Sequence, residues 1–357
     1  MDMDFQFLRD DAQAGDAYAQ FILGNHYYYG SDCVKQDYEQ AVFWYRKSAF
    51  QGDIRAQNML GECYYFGNGL MQDYRQAIYW FEMAAKYKLD RAQRNLGDCY
   101  YYGLGVEQDY KEAFEWYQKS VEYDFPLAQY SLGVCYNEGH GVEKDEEKAV
   151  YWFKKSAEQD FPPAQFDLGV CYNSGLGVEQ DSNKAIYWYK KAAKHNMPEA
   201  EFNLATCYYR GENIEQDYKE AVYWFKRAAK HNLVQAQFNL AVCYSEGVGV
   251  EKDEEKAIKW FKRAAKRGND CAQAILGMHY YYGDNVVQSY EIAVYWLKKA
   301  AEQDNGIAQR SLGNCYVLGA GVPQDNKKAK MWHKKAKKNG EEFDKDLLKD
   351  MEKAFNS

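Results

Sequence analysis

Residues 163–196 read PAQFDLGVCYNSGLGVEQDSNKAIYWYKKAAKHN, and variants of this stretch recur from residue 16 to about residue 340. The tryptophans show the period most clearly, because each one lies 36 residues after the one before it. Their positions are 44, 80, 116, 152, 188, 224, 260, 296 and 332. A fixed period of this length is typical of repeat proteins, in which each repeat stacks on its neighbours.

The first half of each repeat predicts a helix, here called helix A. In the quoted copy Ala164, Leu168, Cys171 and Tyr172 recur at helical spacing and therefore share one face. Gly175 is expected to end the helix, because glycine readily adopts the left-handed conformation found at helix C-termini.

After a short Gly-rich loop, the second half of the repeat predicts helix B. Asp181 is expected to cap this helix, since its carboxylate can accept the free N–H groups of the first turn. The equivalent residue is Asp in eight copies and Ser289 in the other. The side chains expected to be buried on helix B are Ala185, Trp188, Tyr189 and Ala192. Because neither helix can bury its apolar face alone, the repeat predicts a packed pair.

The shared pattern A-x-x-x-L-G-x-x-Y-x-x-G-x-G-V-x-x-D-x-x-K-A-x-x-W-Y-x-K-A-A resembles the Sel1-like repeat, a relative of the tetratricopeptide repeat. The nine copies cover most of the chain, so the resemblance is specific. It implies an all-α fold, a right-handed α/α superhelical solenoid of nine helix pairs. It also implies a scaffold or adaptor for other proteins, without naming a ligand.

Three segments are expected along the chain. Residues 1–15 predict an N-terminal capping helix, residues 16–340 hold the nine repeats, and residues 341–357 predict a C-terminal capping helix. The C-terminal prediction depends on a row of apolar side chains on a charged background: Phe343, Leu347, Leu348, Met351 and Phe355. Helices of this kind cover the open ends of repeat arrays.

The charge of the chain disfavours nucleic acid as a partner. Its net charge is −8, whereas phosphate binding depends on clustered cations. Lys and Arg pairs near the end of helix B, such as Lys190 with Lys191, are expected to be solvated cations favoured by the helix dipole. No stretch approaches the ~18 uninterrupted apolar residues of a membrane helix, and the acidic start is unlike a secretory signal. We expect a monomeric protein that does not insert into membranes.

The cysteines could be interpreted as a metal array or a disulfide ladder. Seven of the nine share one position of helix A: Cys63, Cys99, Cys135, Cys171, Cys207, Cys243 and Cys315. Equivalent residues on helices packed ~8–10 Å apart lie beyond the reach of a disulfide. We therefore expect reduced, buried thiols that bind no metal. Reduced thiols predict a cytoplasmic protein, with export by a signal-independent route left open.

Two classes of function are considered from the sequence. A protein-interaction scaffold is favoured, because the chain has no H-E-x-x-H, C-x-x-C or P-loop motif. The alternative is an enzyme or small-molecule binder that uses the groove, such as the penicillin-binding activity linked to some cysteine-rich relatives. The chain has no Ser followed three residues later by Lys, which disfavours that activity. We expect neither catalysis nor a cofactor.

The copies differ most at two positions of helix A, two residues before and two residues after the buried Leu. The resemblance to tetratricopeptide arrays places these positions in a concave groove. The residues predicted to bind a partner there are Tyr130, Val134, Asn137, Phe166, Val170, Asn173, Phe202, Thr206, Tyr209, Phe238 and Val242. Such an apolar groove with polar groups along one side suits an extended peptide or an amphipathic helix. Alternatively, tight curvature packs the Tyr and Phe rings into the core.

Overall fold

The computed structural model describes residues 3–123, 125–211 and 214–340. These residues form nineteen α-helices and one short 3₁₀ turn, Val121–Tyr123. The chain divides into two compact units, Met1–Trp188 and Tyr189–Ser357, called unit 1 and unit 2 below. Residues 341–357, and with them the predicted C-terminal capping helix, lie outside the described residues.

The first helix, α1, is followed by nine helix pairs, so the fold is the all-α array of paired helices that the sequence predicts. The A helices are α2 (Ala17–Tyr29), α4 (Ile54–Phe66), α6 (Asp90–Tyr102), α8 (Pro126–Glu138), α10 (Pro162–Ser174), α12 (Pro198–Arg210), α14 (Val234–Glu246), α16 (Asp270–Tyr282) and α18 (Gly306–Leu318). The B helices are α3 (Tyr38–Phe50), α5 (Tyr74–Ala85), α7 (Tyr110–Ser120), α9 (Glu146–Glu158), α11 (Ser182–Ala193), α13 (Tyr218–Lys230), α15 (Glu254–Lys266), α17 (Tyr290–Ala301) and α19 (Asn326–Lys338).

The predicted B-helix caps are confirmed. Asp181 Oδ1 accepts a hydrogen bond from the N–H of Lys184 at 2.9 Å, and Ser289 Oγ accepts one from Ile292 at 3.3 Å. The same bond forms in every other repeat. Each cap satisfies an N–H group that the first helical turn leaves without a partner.

Helix A and helix B of one repeat approach closely at a glycine that follows the buried Leu. In repeat 4 a methyl group built on Gly133 would lie 2.5 Å from Cδ1 of Phe153, the residue after the repeat's Trp. Gly97 stands in the same relation to Tyr117, whose ring a methyl group would overlap. A small residue at this position, glycine here and alanine in repeats 6 and 7, therefore leaves room for the buried ring of helix B.

The tryptophans join each helix pair to the pair before it, but the prediction that all are buried is wrong. Trp44, Trp80, Trp296 and Trp332 are buried, whereas the five central ones are only half-buried: Trp116, Trp152, Trp188, Trp224 and Trp260. One side of the ring packs on the preceding pair at four of these residues, Trp116, Trp152, Trp188 and Trp260. The other side reaches the surface, where a cation covers it in most of these repeats.

Two polar features also tie neighbouring repeats together. A glutamine early in helix A donates to a backbone carbonyl at the end of the preceding helix B, as Gln237 does to Ala229 at 3.2 Å. In addition, the second glycine of the A–B loop lies against the first turn of the preceding helix B. A methyl group on Gly141, whose φ is 73°, would overlap the carbonyl of Tyr110. Only glycine satisfies both the positive φ and this close approach.

Helix α1 (Met3–Ala14) packs on the first repeat. Phe5 and Ala12 are buried in one cluster with Ala19, Leu23 and Trp44. Phe7, on the other face of α1, is exposed. This helix therefore contributes a single apolar face, which covers the start of the array.

We expect alanine at Gly97 to be more destabilising than alanine at Gly133. The hydroxyl of Tyr117 donates to buried Asp98 at 2.8 Å, so its ring cannot shift without losing this bond. Phe153 has no such bond, and Ala205 and Ala241 already occupy this position in clusters with Phe225 and Phe261. Gly97→Ala should lower the free energy of unfolding by about 2 kcal/mol, and Gly133→Ala by less than about 1 kcal/mol. Urea denaturation measures both, and equal losses would contradict the role given to the Tyr117 bond.

Repeat 6 departs from the repeat pattern at a buried position. Glu201 replaces the glutamine that the other eight repeats have at this position. It is fully buried and forms an ion pair with Arg227 at 2.8 Å. Arg227 also approaches the carbonyl of Ala193, which would otherwise accept the glutamine bond, at 3.4 Å. Burial raises the pKa of Glu201, and the charges of Arg227 and His231 only partly offset this rise.

We expect Glu201→Gln to stabilise the protein by about 1 kcal/mol at neutral pH, because it restores the hydrogen bond and removes a buried charge. Arg227 does not become an unpaired buried charge in this variant, since it is partly exposed and lies 5.0 Å from the centre of the Trp224 ring. The raised pKa means that protonation stabilises the folded parent, so the difference should shrink as the pH falls.

The reverse change in repeat 7 is the matched control, because Arg263 there occupies the position of Arg227. Gln237→Glu should destabilise the protein at neutral pH by about 1–3 kcal/mol. Thermal melts at several pH values test both variants. A less stable Glu201→Gln variant at neutral pH would show that the ion pair is favourable.

Candidate functional site

In unit 1 the predicted groove residues lie at the margin of the core. The ring of Tyr130 packs between Phe153 and Phe161, with ring centres 5.7 and 5.4 Å away, and its hydroxyl donates to Asp167 at 2.9 Å. The predicted residues of this unit that are half-buried are Tyr130, Val134, Asn137, Phe166 and Val170. Asn173 is exposed. Tyr130 thus has a structural contact on both sides.

The polar equivalents in repeats 2 and 3 are not displayed on a surface. Asn58 and Asp98 are buried. Asp98 forms an ion pair with Arg94 at 2.6 Å, and Asn58 donates to Glu62 at 2.8 Å. These side chains therefore satisfy one another.

In unit 2 the predicted rings pack on helix B in a regular way. Phe202 lies 5.7 Å from Phe225, and Phe238 lies 5.9 Å from Phe261, between ring centres. Thr206 donates its hydroxyl to the carbonyl of Phe202 at 2.9 Å, within its own helix. The predicted residues of this unit are all half-buried: Phe202, Thr206, Tyr209, Phe238 and Val242. Each has part of its surface left for a partner.

Two adjoining cavities open beside these residues, and Phe238 lines both of them. The smaller has a volume of about 140 Å³ and is lined by Tyr209, Phe225, Phe238, Asn239 and Val242. The larger has a volume of about 350 Å³ and is lined by Phe238, Cys271, Ala274, Ile275, Met278, His279, Asp284, Asn305 and Ile307. The structure therefore brings together three of the predicted residues, Tyr209, Phe238 and Val242, in one surface. This surface, made by the two cavities, is called the cavity strip below.

Most residues of the larger cavity are absent from the sequence prediction. Ala274 and Met278 stand two residues before and two after Leu276, so the rule used for repeats 4 to 7 would have found them. Cys271 and Ile307 lie in the first turns of α16 and α18, outside that rule. Ile307 is 47% exposed, which makes it an accessible apolar contact at the rim.

The polar groups of the cavity strip do not form a reactive cluster. His279 Nδ1 lies 2.9 Å from the backbone carbonyl of Asp284, which fixes the imidazole ring. Burial, together with the charge of Asp270, raises the pKa of the Cys271 thiol, which keeps it protonated at neutral pH. Among the described residues, no three His, Cys, Asp or Glu side chains converge as a metal site would require.

All nine cysteines are free thiols. Burial raises the pKa of Cys63, Cys99 and Cys135 to about 12. It raises that of Cys171, Cys243 and Cys315 to about 11. Protonated, buried thiols are neither nucleophiles nor metal ligands, so they pack as small apolar side chains.

The helix pairs and the cavity strip define an α-helical repeat protein of the tetratricopeptide-like class. The Sel1 repeat model matches nine times, at residues 17–53, 54–86, 90–122, 126–161, 162–197, 198–233, 234–269, 272–305 and 306–341. The chain therefore belongs to the Sel1 repeat family. Within the described residues, no helix is both long enough and apolar enough to cross a membrane.

Two solved structures are similar over nearly the whole chain. A protective antigen of uropathogenic Escherichia coli with an SLR fold is 32% identical, with a TM-score of 0.73 over 94% of this chain and 79% of that one. A Sel1 repeat protein from Oxalobacter formigenes is 31% identical, with a TM-score of 0.64 over 98% and 91%. The HRD3A component of an ERAD-associated E3 ubiquitin ligase from Arabidopsis thaliana is 38% identical over 61 residues, which are 17% of this chain but only 9% of that protein.

We expect Cys271 to react first with Ellman's reagent in the native protein, because it is the exposed cysteine. The six cysteines with the strongly raised pKa should react only as the protein unfolds, since both access and thiolate formation are suppressed. Absorbance at the thionitrobenzoate band follows the reaction, and Cys271→Ser should remove the fast phase. Rapid reaction of the buried cysteines in the folded protein would contradict this assignment.

Proposed function

We propose that the chain is a protein-interaction scaffold that binds a peptide segment of a partner protein at the cavity strip of unit 2. The observation that carries the proposal is the pair of adjoining apolar cavities that share Phe238. Ligand sites in proteins are typically concave, mostly apolar and lined by a few polar groups, as this surface is.

The cavity strip suits a peptide with two bulky apolar side chains. Removing one such side chain from water contributes about 1.5–3 kcal/mol, so two anchors supply a large part of a micromolar affinity. Asn239 lines the smaller cavity and offers a polar group to the peptide backbone. This division into apolar anchors and a polar margin is that of known peptide-binding surfaces.

The proposed role involves neither catalysis nor a cofactor. It is supported by the protonated thiol of Cys271, which is not an activated nucleophile in the larger cavity. We also propose a compartment that keeps thiols reduced, such as the cytoplasm, on the basis of the nine free cysteines.

A matched pair of tyrosine variants tests the proposal. Tyr209 lines the smaller cavity, whereas Tyr223 on α13 is 52% exposed and lines neither. Partners captured from the native cell with the parent protein should be reduced at least about tenfold with Tyr209→Ala, because an anchoring contact is lost. Tyr223→Ala should retain them, and both melting temperatures should be compared with that of the parent. Retention with Tyr209→Ala would reject the cavity strip as the binding surface.

A further inference from the structure

We infer that the partner segment is cationic, with Lys or Arg side chains flanking its two bulky apolar anchors. This inference rests on the proposed function and specifies the chemistry of the ligand at the same surface. It is based on the acidic groups around the cavities and on the sign of the charge elsewhere on unit 2.

Three carboxylates surround the cavity strip. Asp284 lines the larger cavity and is exposed. Asp270 adjoins Cys271 and accepts a hydrogen bond from Asn305, also a lining residue, at 2.9 Å. Glu246 is exposed and close enough to Tyr209 that, after burial and Cys243, its charge helps to raise the pKa of that tyrosine. The described residues that line the two cavities include neither Lys nor Arg.

Several carboxylates near helix termini in unit 2 are paired with a cation, whereas these three are not. Asp253 is paired with Lys256 at 2.7 Å, and Glu254 with Lys252 at 3.0 Å. Within the described part of the chain, no ion pair forms at Glu246, Asp270 or Asp284. The lining of the larger cavity therefore carries a negative charge, at Asp284, that no cation of the lining offsets and that a cationic ligand can compensate.

Helix B carries many of the cations of unit 2, and none of those cations lines either cavity. They include Arg227 and Arg263, which lie over Trp224 and Trp260 at 5.0 and 4.5 Å from the ring centres. Helix B thus repels a cationic peptide where the cavity margin attracts one. Such charge separation favours one docking surface over another and speeds encounter at low salt.

The apolar strip also has a defined end. In repeat 9 Arg310 and Asn314 take the two positions that Ala274 and Met278 hold in repeat 8. The anchors of the ligand are therefore expected between Tyr209 and Ile307, where the apolar lining and the unpaired carboxylates coincide.

Two fluorescein-labelled peptides test the inference on the full chain. Both carry the same two leucine anchors in the same background, and the flanking residues are Lys in one and Glu in the other. We expect the Lys peptide to bind at least about tenfold more tightly in anisotropy titrations, and its affinity to fall as salt is raised. Ile307→Ser should weaken its binding about tenfold, since the rim contact is lost.

Charge-reversed variants give the matched control. The double variant with Glu246→Lys and Asp284→Lys should remove or invert the preference between the peptides. The double variant with Glu251→Lys and Glu255→Lys makes the same charge change at exposed residues that line neither cavity and should preserve it.

Three outcomes would overturn the inference. Equal binding of both peptides, sensitive to Ile307→Ser, would leave an apolar groove without the charge preference. A preference for the Lys peptide that neither Ile307→Ser nor the first double variant alters would place binding elsewhere. Failure of both peptides to bind, while partner capture still depends on Tyr209, would reject the cationic ligand but retain the proposed function.

Discussion

The close approach of helix A and helix B, at the glycine or alanine that follows the buried Leu, is the contact on which the rest of each repeat depends. At Gly133 the ring of Phe153 occupies the space that a side chain would fill. Because the ring is buried there, the neighbouring Trp is directed toward the preceding pair, where it packs. In unit 2 another part of helix A, together with Phe225 of helix B, forms the cavity strip.

Most of the fold could be predicted from the sequence, because residues that recur at the same position of each repeat mark the contacts that all repeats share. Helix caps such as Asp181 and first-turn prolines such as Pro162 affect only the backbone a few residues away, so their roles can be identified from the local sequence. The helix pairs follow from the same repetition, since a contact made nine times leaves nine equivalent residues.

The surface was less predictable, because half-burial depends on neighbours that are distant in sequence. Asp98 shows this, because the Tyr117 hydroxyl that donates to it comes from helix B, 19 residues along the chain, and the repeat spacing does not show that the carboxylate will be buried. The larger cavity was missed for a related reason. It combines Met278, at a repeat position, with Ile307 from the first turn of α18, and only the packing of three A helices brings them together with Phe238.

Charged residues that depart from the repeat pattern are of two kinds, and the difference is whether an opposite charge within the fold compensates them. At Glu201 a buried carboxylate replaces a glutamine. Arg227 of the same repeat forms an ion pair with it, so the charge is compensated within the fold. At Asp284 the carboxylate lines an apolar cavity, and no cation of the described chain forms an ion pair with it. A charge that the fold compensates contributes to stability or costs little, whereas one left uncompensated beside an apolar surface is available to a ligand. In a repeat protein the core is common to all copies, so specificity for a partner depends on these uncompensated departures.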